Sequence, residues 1–306
     1  MKKTCLLLAL MVPMLAAAQA VRVMKPQHFK RQLPAGNYSG IAPIGDDRYA
    51  VVSDKADGDG FYVFRLRIDT VQGRIVEAVN EGYRSSGLPN RDMEGIAYRP
   101  STGTLFISGE ADNEVYEYRL DGERTGRRLL VPVELQQAAP NYGLESLAYD
   151  AQARRFYTTT EHPLPGESWL RLCSFGDDLR PGRQYIYPPD EPVSRKYIYG
   201  VAGLCAPGDG RLYVLERQVR IPRLKIGAKT VIRLYEVRPA ESDTLQKRLV
   251  CEFTTRLNLL SRRFANFEGL CSPCPGWLLL VADSQDQYKG ILRDWFRLVA
   301  MTKETN

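Results

Sequence analysis

Met93-Glu-Gly-Ile-Ala97 decides the fold of this chain, because the same phrase returns four more times. Its counterparts are Tyr38-Ser-Gly-Ile-Ala42, Leu144-Glu-Ser-Leu-Ala148, Val201-Ala-Gly-Leu-Cys205 and Phe267-Glu-Gly-Leu-Cys271. The aliphatic positions Ile41, Ile96, Leu147, Leu204 and Leu270 stand 55, 51, 57 and 66 residues apart. A phrase recurring at such a period marks one structural unit built several times over.

Working outward, each phrase runs into a turn and then into a β-rich run that ends near an acid. Those second runs are Tyr49-Ala-Val-Val-Ser-Asp54, Thr104-Leu-Phe-Ile-Ser-Gly-Glu110, Phe156-Tyr-Thr-Thr-Thr-Glu161, Leu212-Tyr-Val-Leu-Glu216 and Leu278-Leu-Leu-Val-Ala-Asp283. Two β-rich runs joined through Gly and Asp read as a hairpin. A third run follows with strand-like alternation, as in Phe61-Tyr-Val-Phe-Arg-Leu-Arg-Ile68 and Val231-Ile-Arg-Leu-Tyr-Glu-Val237. A fourth comes next: Arg74-Ile-Val76, Leu129-Leu-Val131, Tyr185-Ile-Tyr187 and Leu249-Val-Cys-Glu-Phe253. Four strands per repeat predict an all-β fold, a single β-propeller of five four-stranded blades. After Asp283 only one good strand remains, around residues 291–300, so residues 21–33 are expected to supply the missing outer strand and close the ring. A parallel β-solenoid would have shorter repeats, and stacked sandwiches would show no recurring phrase.

Residues 1–20 read as a signal peptide, with Lys2 and Lys3, an apolar run over 6–18 and a small-x-small site at Ala18-Gln19-Ala20. The remaining domain, residues 21–306, is expected to be a periplasmic or secreted bacterial monomer. No stretch is long enough for a membrane span. The formal charge of +6 over 306 residues falls to about +4 without Lys2 and Lys3. That balance is mild and scattered, which argues against a nucleic-acid partner. Cys173, Cys205, Cys251, Cys271 and Cys274 survive cleavage, an odd number that requires at least one free thiol or an intermolecular bridge. Cys271-Ser-Pro-Cys274 lacks the second pair or the nearby histidines that zinc needs, so a disulfide or plain packing is expected there. Cys205 and Cys271, together with Ala42, Ala97 and Ala148, read as small core positions.

Hairpin geometry gathers the acids. The start of a first strand and the end of the antiparallel second strand lie at the same end of a blade. The starts carry Glu94, Glu145 and Glu268, with Ser39 and Ala202 in the other two repeats. The returns carry Asp54, Glu110, Glu161, Glu216 and Asp283. Because first strands line the channel of a propeller, these carboxylates are expected at one channel mouth. Crowded carboxylates repel one another and need a cation, basic neighbours or shared protons. An all-oxygen ligand set suits Ca²⁺ before Mg²⁺, with Asp54, Glu110, Glu161, Glu216 and Asp283 as candidate ligands. Lys55, Arg91, Arg217 and Lys289 stand beside the acids and are candidates for holding an anionic substrate. Each acid could equally pair with a neighbouring base and only staple the blades together. No G-x-S-x-G elbow is present, which leaves His162, next to Glu161, as the one plausible imidazole base.

Ser39-Gly-Ile-Ala42 with Val52-Ser-Asp54, Asp92-Met-Glu-Gly-Ile-Ala97 with Ser108-Gly-Glu110, Gly143-Leu-Glu145, Leu215-Glu-Arg217, and Asn266-Phe-Glu-Gly-Leu270 with Ala282-Asp-Ser284 resemble the phytase-like β-propellers, the family of esterase-like activity of phytase. The resemblance spans nearly all of residues 21–306. It implies a secreted bacterial propeller in which calcium dependence is expected, acting on phosphate or other esters, and it carries over to the acids already named and to Arg217. Ala202 departs from the pattern, so the acid ring is incomplete. Three functions compete. The first is a metal-assisted hydrolase of a small anionic or ester substrate, with Glu94, Glu145, Glu268 and His162 as its catalytic set. The second is a glycan-active enzyme using paired carboxylates. The third is a binding or scaffold propeller.

Overall fold

The computed structural model describes residues 19–223, 226–239, 242–257, 263–284 and 290–303. Five four-stranded antiparallel sheets follow one another along the chain. Blade one holds β2 (Tyr38–Gly45), β3 (Arg48–Ser53), β4 (Gly60–Asp69) and β5 (Arg74–Ser85). Blade two holds β6 (Met93–Arg99), β7 (Thr104–Gly109), β8 (Glu114–Tyr118) and β9 (Arg124–Arg128). Blade three holds β10 (Leu144–Asp150), β11 (Arg155–Thr160), β12 (Leu170–Phe175) and β13 (Pro181–Tyr187). Blade four holds β14 (Ile198–Cys205), β15 (Leu212–Arg220), β16 (Lys229–Val237) and β17 (Arg248–Arg256). Blade five runs β18 (Asn266–Cys274), β19 (Trp277–Asp283), β20 (Phe296–Lys303), and its outer strand is β1 (Gln19–Val23). Val21 lies opposite Met301 and Val23 opposite Val299, so the N-terminal strand closes the ring as expected. Among the described residues the helical content is one 3-10 turn, Val133–Gln137, and no helix is long and apolar enough to cross a membrane.

The two faces of every blade are apolar because each faces a neighbouring blade. Five of the buried clusters each fill one seam. Tyr213, Leu215 and Ile232 meet Phe267, Leu278 and Leu280 between blades four and five. Tyr38, Val51 and Phe64 meet Leu279, Val281 and Phe296 between blades five and one. Phe61, Val63 and Val52 meet Met93, Leu105 and Ile107 in the next seam. The remaining two seams are built the same way. Each fully buried Leu or Phe contributes about 1.5–3 kcal/mol, so these seams hold the ring together.

The outer strands differ from expectation in two places: β1 is Gln19–Val23, at the very start of the expected stretch 21–33 and reaching two residues before it, and blade two has a displaced fourth strand. β9 is Arg124-Thr-Gly-Arg-Arg128 rather than the apolar run at residues 129–131. An outermost strand faces water and needs no apolar side chains, so hydrophobicity is a poor guide to it. Leu129 is buried in the seam beyond it and donates its N–H to the Val115 carbonyl. The cysteines of the described residues are all unbridged; Cys205 and Cys271 are buried in the seams, and no disulfide joins Cys271 to Cys274.

Candidate active site

The inner strands β2, β6, β10, β14 and β18 stand side by side around the channel. They pack so closely that a Cβ on Gly95 would lie 2.5 Å from the Leu147 amide nitrogen, and one on Gly203 2.5 Å from the Glu268 carbonyl oxygen. That approach explains the glycine in the recurring phrase.

The pairing register between first and second strand slips at the same place in all five blades. The shift falls between Tyr38 and Gly40, Met93 and Ile96, Leu144 and Ser146, Val201 and Gly203, and Phe267 and Gly269. The bulged residues are thus Ser39, Glu94, Glu145, Ala202 and Glu268. A bulge inserts one unpaired residue and re-aims its side chain. Repeated five times, it presents one side chain per blade to a common centre. The three glutamates are buried, each about 5–6 % exposed.

The register also identifies the returning partner in each blade. Tyr38 pairs with Ser53, Met93 with Gly109, Leu144 with Thr160, Val201 with Glu216 and Phe267 with Ala282. The next residues are Asp54, Glu110, Glu161, Arg217 and Asp283, and these are equivalent. Arg217, not Glu216, therefore occupies the ring position of blade four. Side chains alternate along a strand, so one step of register sends Glu216 to the other side. There Glu216 accepts hydrogen bonds from the Tyr187 hydroxyl at 2.6 Å, the Lys247 ammonium at 2.7 Å and the Asp190 N–H at 3.0 Å. It ties blades three and four together.

Arg217 reaches the middle of the acid ring. Its guanidinium contacts Glu268 at 2.7 Å, Glu161 at 2.9 Å and Glu145 at 3.1 Å. Blade four, whose phrase has Ala202 in place of glutamate, is also the blade that replaces the returning acid with arginine. The departure in the phrase and the cation in the ring go together: the small side chain stands where this blade contributes positive charge instead. One cation does not balance the cluster. Burial pushes the Glu145, Glu161 and Glu268 carboxyls above the usual range, against the pull of Arg217. Burial acts on Glu94 too, and Glu145, Glu268, Asp54 and Glu110 add repulsion, so its carboxyl is raised well above the usual range. Glu94 makes no hydrogen bond or ion pair among the described residues.

Beside Glu94 lies a residue that the strand-based reading passed over. Carboxylate oxygens of Asp54, Asp92 and Glu94 all fall within 4.8 Å of one another. Asp92 takes a left-handed backbone, φ 56°, a conformation Asp tolerates better than most residues. Its N–H donates to Asn90 Oδ1 at 2.6 Å, and Asn90 in turn donates to the Asp54 carbonyl at 2.8 Å. Its proximity in sequence to Glu94 was the available signal. The Lys55 ammonium sits against Asp92 at 2.9 Å and Asp54 at 3.0 Å.

The other expected residues are dispersed. Glu110 accepts a hydrogen bond from the Gly143 N–H at 3.0 Å. Asp283 lies opposite Asn266 at the same end of blade five. Arg91 turns to its own blade, holding Asp112 at 2.8 Å and the Glu114 carbonyl at 2.8 Å, and is satisfied there. His162 is wedged between Tyr142 and Tyr199, with ring centroids 4.1 and 4.8 Å away. Burial lowers its pKa, a backbone contact with Tyr199 opposes this, and Arg217 lowers it further. Its Nε2 is buried without a hydrogen-bond partner among the described residues. Lys289 lies outside the described residues.

Fold and site together define a five-bladed β-propeller with a carboxylate ring at one end of its channel, bridged by Arg217. The chain belongs to the phytase-like family, described as esterase-like activity of phytase, whose profile matches residues 33–284. No curated protein sequence matches it. Among solved structures it is similar to a PQQ-bound aldose sugar dehydrogenase from Streptomyces coelicolor (14 % identity, TM-score 0.45, covering 92 % of this chain and 99 % of that one). It is also similar to a streptogramin B lyase (13 %, 0.43, 90 % and 97 %) and to the calcium-binding regucalcin of Agrobacterium tumefaciens (15 %, 0.40, 87 % and 77 %). Likeness at this level carries no functional implication.

Proposed function

We propose that this protein is a metal-assisted hydrolase of phosphate or other esters, acting in the periplasm or outside the cell. The observation that carries the reading is Glu94: a buried carboxyl without a partner among the described residues, facing two further carboxylates. An all-oxygen set of this kind fits Ca²⁺, or Mg²⁺ with retained waters. The ligand set supported by the geometry is Asp54, Asp92 and Glu94, narrower than the ring of five acids expected from sequence. A cation held there supplies Lewis-acid polarisation of an ester or phosphoryl oxygen. The chain's own residues do the rest. Glu145, its carboxyl held above the usual range by burial and by Glu161, is the acid this reading assigns as proton acceptor. Arg217 is engaged through its two terminal nitrogens by three glutamates and holds those acids in place, while its buried Nε has no hydrogen-bond partner among the described residues. Among the described residues, Lys55 is the base of the expected anion-binding set that remains facing the site.

Thermal unfolding with chelator, then with added Ca²⁺ or Mg²⁺, tests this reading on wild type and Glu94→Gln. A ligand at 100 times its Kd stabilises by about 2.7 kcal/mol. The expected result is a rise in Tm with cation that disappears in Glu94→Gln, followed by turnover in a screen of phosphate and carboxylate esters. Absence of any shift would remove the metal from the mechanism.

One observation favours a second reading, a glycan-active site. Tyr142, His162 and Tyr199 form a row of partly exposed rings beside Glu161. Such rings suit the apolar face of a sugar. Turnover of chromogenic glycosides rather than esters, weakened by Tyr142→Ala, would favour it.

A further inference from the structure

We propose that Lys55 is a displaceable internal cation, which fills the Asp54–Asp92–Glu94 site until a divalent cation takes its place and then becomes the arm that holds the substrate's anionic group. The inference rests on the cation reading of the mouth and goes beyond it by assigning Lys55 two positions.

Three observations lead here. First, the ammonium bridges Asp54 and Asp92, two of the three carboxylates that could hold a metal. Second, the third carboxylate is left over: Glu94 is 6 % exposed and has no hydrogen-bond or ion-pair partner among the described residues. One ammonium therefore satisfies part of a site that has room for more positive charge. Third, the lysine itself is not fixed. Its side chain is 55 % exposed, on the loop that follows β3, while Asp54 and Asp92 are 18 % and 29 % exposed. Exposed ammonium–carboxylate pairs contribute little, so leaving them costs little. The long, flexible stem lets the charge move while its backbone stays.

The electrostatics decide the order of events. With Lys55 in place the cluster is three carboxylates against one positive charge. A divalent ion matches that cluster better and repels the ammonium at close range. Lys55 must then swing out, and it can do so without leaving the mouth. Neither Arg217 nor Arg91 can take its role, because each is held by its own acids.

The consequence is a competition that is measurable without an enzymatic assay. Removing the ammonium removes both the competitor and the repulsion. Calorimetric titration of the full chain with Ca²⁺ is expected to show Lys55→Met binding about tenfold more tightly than wild type. Acetylation of Lys55 by acetic anhydride, followed by peptide mass spectrometry, is expected to rise when Ca²⁺ is added to wild type. Asp92→Asn, on a partly exposed loop, is expected to weaken Ca²⁺ binding in both backgrounds, and Glu94→Gln to abolish it. Equal or weaker binding by Lys55→Met, or acetylation indifferent to Ca²⁺, would overturn the displacement while leaving the cation reading intact. If neither wild type nor Lys55→Met binds Ca²⁺ or Mg²⁺, the cation reading itself fails and the proposal falls with it.

Discussion

Arg217 shows how one side chain changes the meaning of its neighbours. Three buried glutamates share its guanidinium, and breaking a buried charge network by removing one partner typically costs about 3–5 kcal/mol. Arg217→Met is therefore expected to lose about that much stability at pH 7 in urea unfolding. The deficit should shrink toward pH 5, because the freed glutamates can take up protons. A deficit that stays constant with pH would mean that Arg217 acts through packing alone. Arg217 and Glu216 also mark the limit of sequence reading at single positions. Both stand at the end of an apolar run, and nothing in Leu-Glu-Arg states which of the two faces the channel. The Val201–Glu216 pairing does. Asp92 escaped for a related reason. It belongs to no strand, and only its left-handed turn brings it to Asp54 and Glu94.

The repeated bulge is the device that makes five hairpins into one site. Without it, the bulged glutamates would alternate with their neighbours onto the blade faces, where seams of Leu, Val and Phe leave no room for charge. The glycine beside the bulge is part of the same device, since it lets neighbouring inner strands touch. Gly203→Ala places a methyl group 2.5 Å from the Glu268 carbonyl oxygen and should cost about 1–3 kcal/mol, read by urea unfolding. Blade three supplies the control. Ser146 already carries a Cβ at the matching position, and its hydroxyl is buried without a partner. Ser146→Ala should leave stability unchanged or raise it by up to about 1–3 kcal/mol, because it removes a buried hydroxyl that has no partner among the described residues. A Gly203→Ala variant as stable as Ser146→Ala would show that the inner strands can spread.

Closure of the whole ring concentrates acids that no isolated blade would bring together, and stability should respond to pH accordingly. Glu94, Glu145, Glu161 and Glu268 hold their protons to higher pH folded than unfolded, through burial first of all. Between the unfolded pKa of about 4.3 and the raised folded values, the folded state binds more protons. Its stability is then complete below that window and falls as pH rises through it. Chelator-treated protein should show a falling Tm from about pH 5 upward. Saturating Ca²⁺, or Glu94→Gln, should flatten the slope. A Tm that rises over this range would mean that these carboxylates are ionised and well paired in the fold.

The sequence by itself determined the repeat, the number of blades, the inner hairpin of each, the closing of the ring by an N-terminal strand and the end of the channel where charge gathers. It could do so because each is written locally: strand periodicity, turn residues and a phrase copied five times. Tertiary structure alone decided which acids meet, that blade four contributes Arg217 to the ring, that Arg91 turns away, and that Asp92 completes a three-carboxylate set. Those outcomes depend on register and on the approach of residues tens of positions apart. A one-residue slip leaves composition and pattern unchanged while moving a charge from the channel to a seam.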